Sequence, residues 1–341
     1  MTDSPGDLLR RSLGVLEDTA DNANPPGKIY LAFSGGNDST ALLVAASQLD
    51  LPNPVIAVHV NHGVHADSSR WAKHCQSIAR SLEIPCQVLE VNRSHLPVKP
   101  DEGAMRTARY LLLEQLLTPR DVLLTAHHLE DVAESVLLAA LRGGSCHELA
   151  GISARRPLGL GMLIRPWLSV AKLQLADLLL TSKLTVVEDP SNFDPTVRRS
   201  FVRQRVLPLL RECWPDATPL LAATSVRQSQ SAKALDELLD QHLAEGNPEV
   251  LSSDQLDRLS SSTQILLIQR WITRHNLPLP SGKHIEQLLQ QRQRSRPDRQ
   301  PRLPLSGASI RCYRRQLFLV RCDIENFAQD TKPYQLSLIH I

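Results

Sequence analysis

Through the first two thirds of this 341-residue chain, short apolar runs of strand character alternate with helical patterns. The runs fall at 29–33, 55–60, 86–91, 121–126 and 162–164, with helical periodicity from 39, 68, 103, 130 and 169. Few architectures accept such a pattern. Continuous apolar strands must be covered on both faces, and a helix between each pair returns the chain to the same edge, so the strands lie parallel. The predicted fold class is α/β, a doubly wound, mostly parallel sheet. Trp71, Cys75, Ile78, Ala79 and Leu82 share one helical stripe, the face such a covering helix buries. Ligands of open sheets sit beyond the carboxyl ends of the strands, so residues at strand ends are the functional candidates.

The first strand runs into Ser34-Gly35-Gly36-Asn37-Asp38-Ser39 and then into an apolar helix. The glycines remove Cβ atoms that would block close backbone approach, and a helix start offers unpaired amides and a positive dipole end to an anion. Ser34 and Ser39 add hydroxyl donors, and Asp38 is placed to hold a magnesium ion against phosphates. No lysine stands beside Ser39, which excludes a Walker loop, and the adjacent glycines do not fit the dinucleotide fingerprint. The turn resembles that of the pyrophosphatase-loop ATPases, in which an SGGxDS segment grips the β and γ phosphates while a substrate oxygen attacks the α phosphorus. That resemblance implies adenylylation with release of pyrophosphate.

Two other strand ends share this edge. Thr125 to Ser135 closes a strand and opens a helix whose first turns carry Glu130, Asp131 and Glu134, with Asp131 and Glu134 on one helical face. A carboxylate there can complete a magnesium site or take a proton, and His127 beside it can bond phosphate. The segment His59 to Val64 ends the second strand where adenine and ribose would rest. Glu102, Arg106, Arg109 and Tyr110 open another helix, with the arginines suited to nucleotide or RNA phosphate.

No run of 18 apolar residues exists and the N-terminus lacks a secretory pattern, so the expected location is the cytoplasm, without membrane contact. The six cysteines form no CxxC pair, which argues against a metal ribbon, an iron–sulfur cluster or a disulfide framework. A net charge of +2 does not by itself call for nucleic acid, but arginines concentrate at 198–205, 292–302 and 311–315. A second region begins near Trp214-Pro215. It reads as helical over 218–245, with Leu235, Leu238, Leu239 and Leu243 on one stripe, and over 262–291. A break at 295–304 follows, then two short strands within 308–320 around a Tyr-Arg-Arg-Gln turn.

The motifs SGGNDST, HVNHGVHADSS, EGAMRTARY, TAHHLEDVAESVLL, LRGG, LIRPWLSVAK and EDPSNFDPTVRRSFVRQRVLPLL occur in the order found in tRNA(Ile)-lysidine synthetases, and the chain resembles that family strongly over 28–215 and weakly to about 321. The resemblance implies an adenine nucleotide alpha hydrolase-like catalytic domain over 28–215, preceded by a helical extension at 1–27. It implies a smaller, mainly helical accessory tRNA-binding domain at 216–322, then a tail at 323–341. The implied reaction uses ATP, with Mg2+, to activate the C2 oxygen of the wobble cytidine of a tRNA(Ile) bearing a CAU anticodon. The ε-amine of L-lysine then displaces AMP. Carried onto this chain, Ser34, Gly35, Gly36, Asn37, Asp38, Ser39, His59 and His127 bind ATP, and Asp38 and Asp131 hold the metal. Asp38, Asp131, Glu134, Arg199 and Arg203 are catalytic, and Arg106, Arg109, Tyr110 and Arg142 bind substrate. A homodimer is compatible with this reading. The chain departs from the family pattern at Glu130, Val132 and Ser135 in the acidic helix and at Ser200 after Arg199. A tRNA thiolase shares the loop but normally relies on paired or positioned cysteines. An ammonia-using ligase leaves the arginine clusters unexplained, and an inactive RNA-binding relative would not need Asp38, Asp131 and Glu134.

Overall fold

The computed structural model describes residues 4–17, 27–64, 67–93, 97, 102–182, 184–186, 197–244, 247–294 and 300–321. The chain forms two compact units, Met1–Gln230 and Ser231–Ile341.

In chain order the first unit contains α1 (Pro5–Glu17), β1 (Ile29–Ala32), α2 (Asn37–Ser47), β2 (Val55–Asn61), α3 (Ser68–Ser81), β3 (Cys86–Glu90) and α4 (Glu102–Leu116). Then come β4 (Val122–Leu124), α5 (Leu129–Ala140), α6 (Cys146–Leu149), β5 (Arg155–Leu158), β6 (Gly161–Ile164) and α7 (Lys172–Ser182). The unit continues through α8 (Arg198–Phe201), a π-helical turn (Val202–Val206) and α9 (Leu207–Cys213). Every expected strand–helix pair is present. The sheet order is β3-β2-β1-β4-β6-β5. All neighbours pair in parallel except β5, an antiparallel edge strand that the sequence pattern did not reveal.

Period-two alternation separates the two faces. Ile29 and Leu31 of β1, with Val122 and Leu124 of β4, join Leu9 and Leu13 of α1, Leu42 of α2, Cys75 of α3 and Leu175 of α7 in one core. Tyr30 and Leu123 point the other way, with Val58 and Leu163, onto Leu113 and Leu117 of α4 and its end. From β1 the chain winds outward through β2 and β3 on one side, then returns to β4 and β6 on the other. The reversal lies between β1 and β4, so the two carboxyl ends there flank the crevice in which open sheets bind ligands. A third cluster, Ala133 with Val202 and Leu207, fastens α8, the π turn and α9 onto α5. Among the described residues, no helix is long and apolar enough to cross a membrane.

The division between units falls inside α10 (Ala217–Leu243). The second unit continues with β7 (Val250–Ser252), α11 (Ser253–Asp257), α12 (Ser261–Arg274), α13 (Gly282–Arg294), β8 (Arg302–Leu305), β9 (Ala308–Tyr313) and β10 (Gln316–Arg321). Two strands were expected. The structure adds β7 and β8, giving an antiparallel sheet ordered β7-β10-β9-β8 whose core residues Leu251, Ile310, Leu317 and Leu319 meet Leu267, Trp271, Ile285 and Leu288 of the helices. The helical reading of 262–291 divides in two, because Asn276 adopts a φ of +57° and Pro278 and Pro280 follow. In the leucine stripe of α10, Leu239 is buried and Leu238 is exposed, which moves Leu238 off the core face. The β9–β10 turn places Arg314 and Arg315 at φ of +43° and +58°, the left-handed pair that a tight hairpin requires.

Candidate active site

The phosphate-type turn closes on itself at the carboxyl end of β1. Gly35 has a φ of +85°, which a Cβ disfavours, and Gly36 caps α2 in extended conformation. Ser39 Oγ lies 3.0 Å from Ser34 Oγ and accepts the Ser34 amide at 3.2 Å. It also donates to the Gly36 carbonyl at 3.0 Å. These bonds hold the turn while Asn37 faces solvent and Asp38 stays partly accessible in the first turn of α2. Behind the turn, His59 is 8% exposed and its Nδ1 lies 3.0 Å from the Phe33 carbonyl, so its visible contact supports the backbone that enters the turn. Burial lowers its proton affinity, keeping the ring neutral.

Across the crevice, the end of β4 delivers His127, His128 and the acidic start of α5. His128 is buried at 1% exposure. Its Nδ1 donates to Glu130 Oε2 at 2.9 Å, and its Nε2 lies 3.5 Å from both Asp38 Oδ2 and Asp131 Oδ2. Burial alone would push this imidazole toward neutrality, but Asp38, Glu130 and Asp131 outweigh that and raise its pKa to about 9. His128 is therefore a buried imidazolium joining the glycine turn to the acidic helix. His127 behaves oppositely. Burial and the charges of Arg165, Arg199 and Arg106 outweigh the pull of Asp131 and lower its pKa to about 4, and its Nδ1 pairs with Thr125 Oγ1 at 2.9 Å.

Asp131 and Glu134 are gripped from the other side by the segment that packs on α5. Arg203 Nε donates to Glu134 Oε1 at 2.6 Å and its Nη2 to Oε2 at 2.9 Å. Arg199 Nε donates to the same Oε2 at 2.8 Å, and both arginines reach Asp131 Oδ1 through Nη2, at 3.0 and 3.1 Å. Asp131 Oδ2 accepts the His128 amide at 3.0 Å. Burial would raise the Asp131 pKa, but His128, Arg199, His127 and that amide hold it below the usual carboxylate range. An acid so stabilised is a weak base; its charge is committed to holding the arginines.

The remaining candidates divide. Arg106 and Tyr110 lie at the opening of α4 on the same sheet edge, with the Arg106 guanidinium 5.0 Å from the Tyr110 ring centroid. Arg109 Nε reaches His62 Nε2 at 3.3 Å, toward β2. Arg142 is exposed beyond the far end of α5, roughly 16 Å along the helix from Asp131, so it does not join this cluster. For a divalent ion, no group of three or more His, Cys, Asp or Glu is assembled among the described residues. Asp38 remains partly open beside the turn, which fits a magnesium ion held by one carboxylate and substrate phosphates; Asp131 would first have to release its arginines.

Sequence reasoning passed over His128 as a site residue. Adjacent residues leaving a strand point to opposite sides, so one of the two histidines had to turn inward, but the sequence did not say which. The available signal was the acidic triplet following it.

A PP-loop domain family matches residues 10–210, and a TilS substrate binding domain family matches residues 251–318. The tRNA(Ile)-lysidine synthase of Methylococcus capsulatus is 34% identical over 302 residues, covering 86% of this chain and 69% of that protein. The chain belongs to the tRNA(Ile)-lysidine synthase family. Its relatives of the same name include those of Edwardsiella ictaluri, 34% identical over 91% of this chain and 72% of theirs, and Alkalilimnicola ehrlichii, 37% identical over 90% and 68%.

The family departures now have physical settings. Glu130 keeps a carboxylate at its position, accepting from His128 and from the Lys172 amide at 3.0 Å. Ser135 Oγ donates to the Asp131 carbonyl at 2.8 Å, and Val132 is buried against the body. Ser200 is buried between the two gripping arginines in sequence and does not displace either of them.

Proposed function

We propose that this chain forms lysidine in two steps. The C2 oxygen of the wobble cytidine of a tRNA(Ile) with a CAU anticodon attacks the α phosphorus of ATP, and pyrophosphate leaves. The ε-amine of free lysine, having lost its proton, then attacks C2 and AMP leaves. The observation that carries this reading is the meeting of a lysine-free phosphate turn with His128, Asp131 and the paired arginines at the sheet's switch point, in a chain of this family.

Roles follow from placement. The amides and hydroxyls of Ser34 to Ser39 receive the β and γ phosphates at the start of α2. Asp38 holds a magnesium ion, which when bound offsets phosphate charge. His128 keeps Asp38 and the acidic helix in register while remaining cationic beside the anion. Asp131 and Glu134 preset Arg199 and Arg203, whose fixed forks suit charge that grows on the α phosphoryl group and on departing AMP. The thiols of Cys75 and Cys86 are pushed up by burial to about 12 and 11, so neither is a ready sulfur carrier at neutral pH.

The test is transfer of radiolabelled lysine to unmodified tRNA(Ile) transcript, with nucleotide products resolved. Lysine incorporation matched by AMP is expected. Turnover that yields ADP alone, or no incorporation, refutes the assignment.

A further inference from the structure

Three arginines gather at the β6–β5 side of the carboxyl edge, with no carboxylate paired to them among the described residues. The guanidinium carbons of Arg106 and Arg156 lie 5.0 and 5.2 Å from the centroid of the Tyr110 ring. Arg165 follows β6, is 6% exposed, couples electrostatically to the Tyr110 side chain and donates from Nη1 to the Ser153 carbonyl at 2.7 Å. Its Nε is buried with no acceptor. A buried donor left unpaired is costly, the more so on a charged group, and the site gives it nothing in exchange.

The contrast with the neighbouring arginines is informative. Arg199 and Arg203 each meet two carboxylates. Among the described residues, no carboxylate pairs with Arg106, Arg156 or Arg165. Burial and the mutual repulsion of these three already weaken proton binding at Arg165. Cations are held together here by an aromatic ring and a carbonyl, an arrangement that an incoming anion would relieve. The cluster borders the reaction centre, because Arg165 follows β6 beside β4, and the Thr125 amide, two residues before His127, donates to the Ile164 carbonyl at 3.1 Å.

The kind of anion follows from what is missing. A free amino acid would carry its α-ammonium into the same group of guanidiniums, where no acid among the described residues receives it. A phosphodiester brings negative charge alone. We propose that Arg106, Arg156 and Arg165, gathered on Tyr110, form a subsite for a backbone phosphate of the RNA substrate beside the nucleotide that is adenylylated. Arg106 was already a candidate for substrate contact; Arg156 and Arg165 are new, and Tyr110 becomes their scaffold. The inference rests on the proposed function for the identity of the RNA.

The experiment measures binding of the full chain to unmodified tRNA(Ile) transcript between roughly 50 and 200 mM salt, alongside KM for lysine at saturating tRNA. Arg156→Gln and Arg106→Gln should each raise the dissociation constant several-fold and flatten the log–log salt slope, by no more than the roughly 0.7–0.9 of one whole phosphate contact. Arg156→Lys should keep the slope, and the lysine KM should not move. Arg165→Lys should weaken binding with its charge retained, since Lys lacks the fork; if that variant does not fold, the two more accessible positions still decide. Wild-type affinity and slope in both Gln variants would overturn the subsite. So would a raised lysine KM with intact tRNA affinity, which would assign the cluster to a carboxylate. If the wild type binds tRNA with these variant effects yet releases no AMP in the presence of lysine, the subsite stands and the proposed reaction falls.

Discussion

Replacing Arg203 by Met isolates the energetics of the arginine–carboxylate lattice. Glu134 is fully buried, and its Oε1 receives a hydrogen bond from Arg203 Nε at 2.6 Å. Arg203→Met removes that donor and one of the two at Oε2, leaving Arg199 Nε alone against a buried charge. Breaking a buried pair from one side costs about 3–5 kcal/mol. Arg203 is itself 36% exposed, so water can reach the gap, and the lower end, about 3 kcal/mol, is expected. Both residues lie in the unit Met1–Gln230, and for a domain of that size the loss corresponds to a fall of roughly 6–12 °C in its melting temperature. Adding Glu134→Gln removes the stranded charge and should restore half or more of the fall. Scanning calorimetry of the single and double variants gives the coupling. A single variant that melts within about 1 °C of the wild type, or a double variant less stable than the single, would show that the lattice does not bear this load.

Four other outcomes are expected. Asp38→Asn should abolish AMP release while leaving tRNA affinity unchanged; near-normal AMP release would remove Asp38 from the phosphate site. For His128, the folded pKa is raised, so its stabilisation is complete below the ordinary value of 6.5 and is lost as pH rises through about 9. In nucleotide-free protein with chelator present, the stability gap between wild type and His128→Gln should therefore shrink by about 3 kcal/mol over that window, and a gap independent of pH would mean the ring is neutral. Arg292, with a side chain 9% exposed and paired to Asp257 at 2.6 Å, should on conversion to Glu destabilise the second unit. Arg302 faces Arg311 across β8 and β9, a like-charged pair that a polyanion relieves, so Arg302→Glu should weaken tRNA binding without unfolding the unit. Unaltered melting in the first variant, or unaltered affinity in the second, would contradict these placements.

Much of the catalytic half was legible because its signals are local. Apolar strands, glycine punctuation and helical stripes each occupy a few residues, and parallel topology forces their ends onto one edge. What stayed hidden depends on partners distant in sequence. Arg199 and Arg203 read as a basic run, and only the packing of Val202 and Leu207 on α5 turns them toward acids more than sixty positions earlier. Arg292 sat in another basic run that invited a surface reading, but the fold points it inward at Asp257; Arg296 and Arg299 of that run lie outside the described residues. β5, β7 and β8 escaped notice because each is three or four residues long and takes its identity from a neighbour's hydrogen bonds rather than its own pattern.

The grip of Asp131 and Glu134 on their arginines has a bearing on how ligands are chosen. Guanidiniums already satisfied by internal acids have little reason to seize a stray monovalent anion, which would have to outbid two carboxylates at once. The carboxylates thus hold the two guanidiniums in fixed orientation and neutralise them from within.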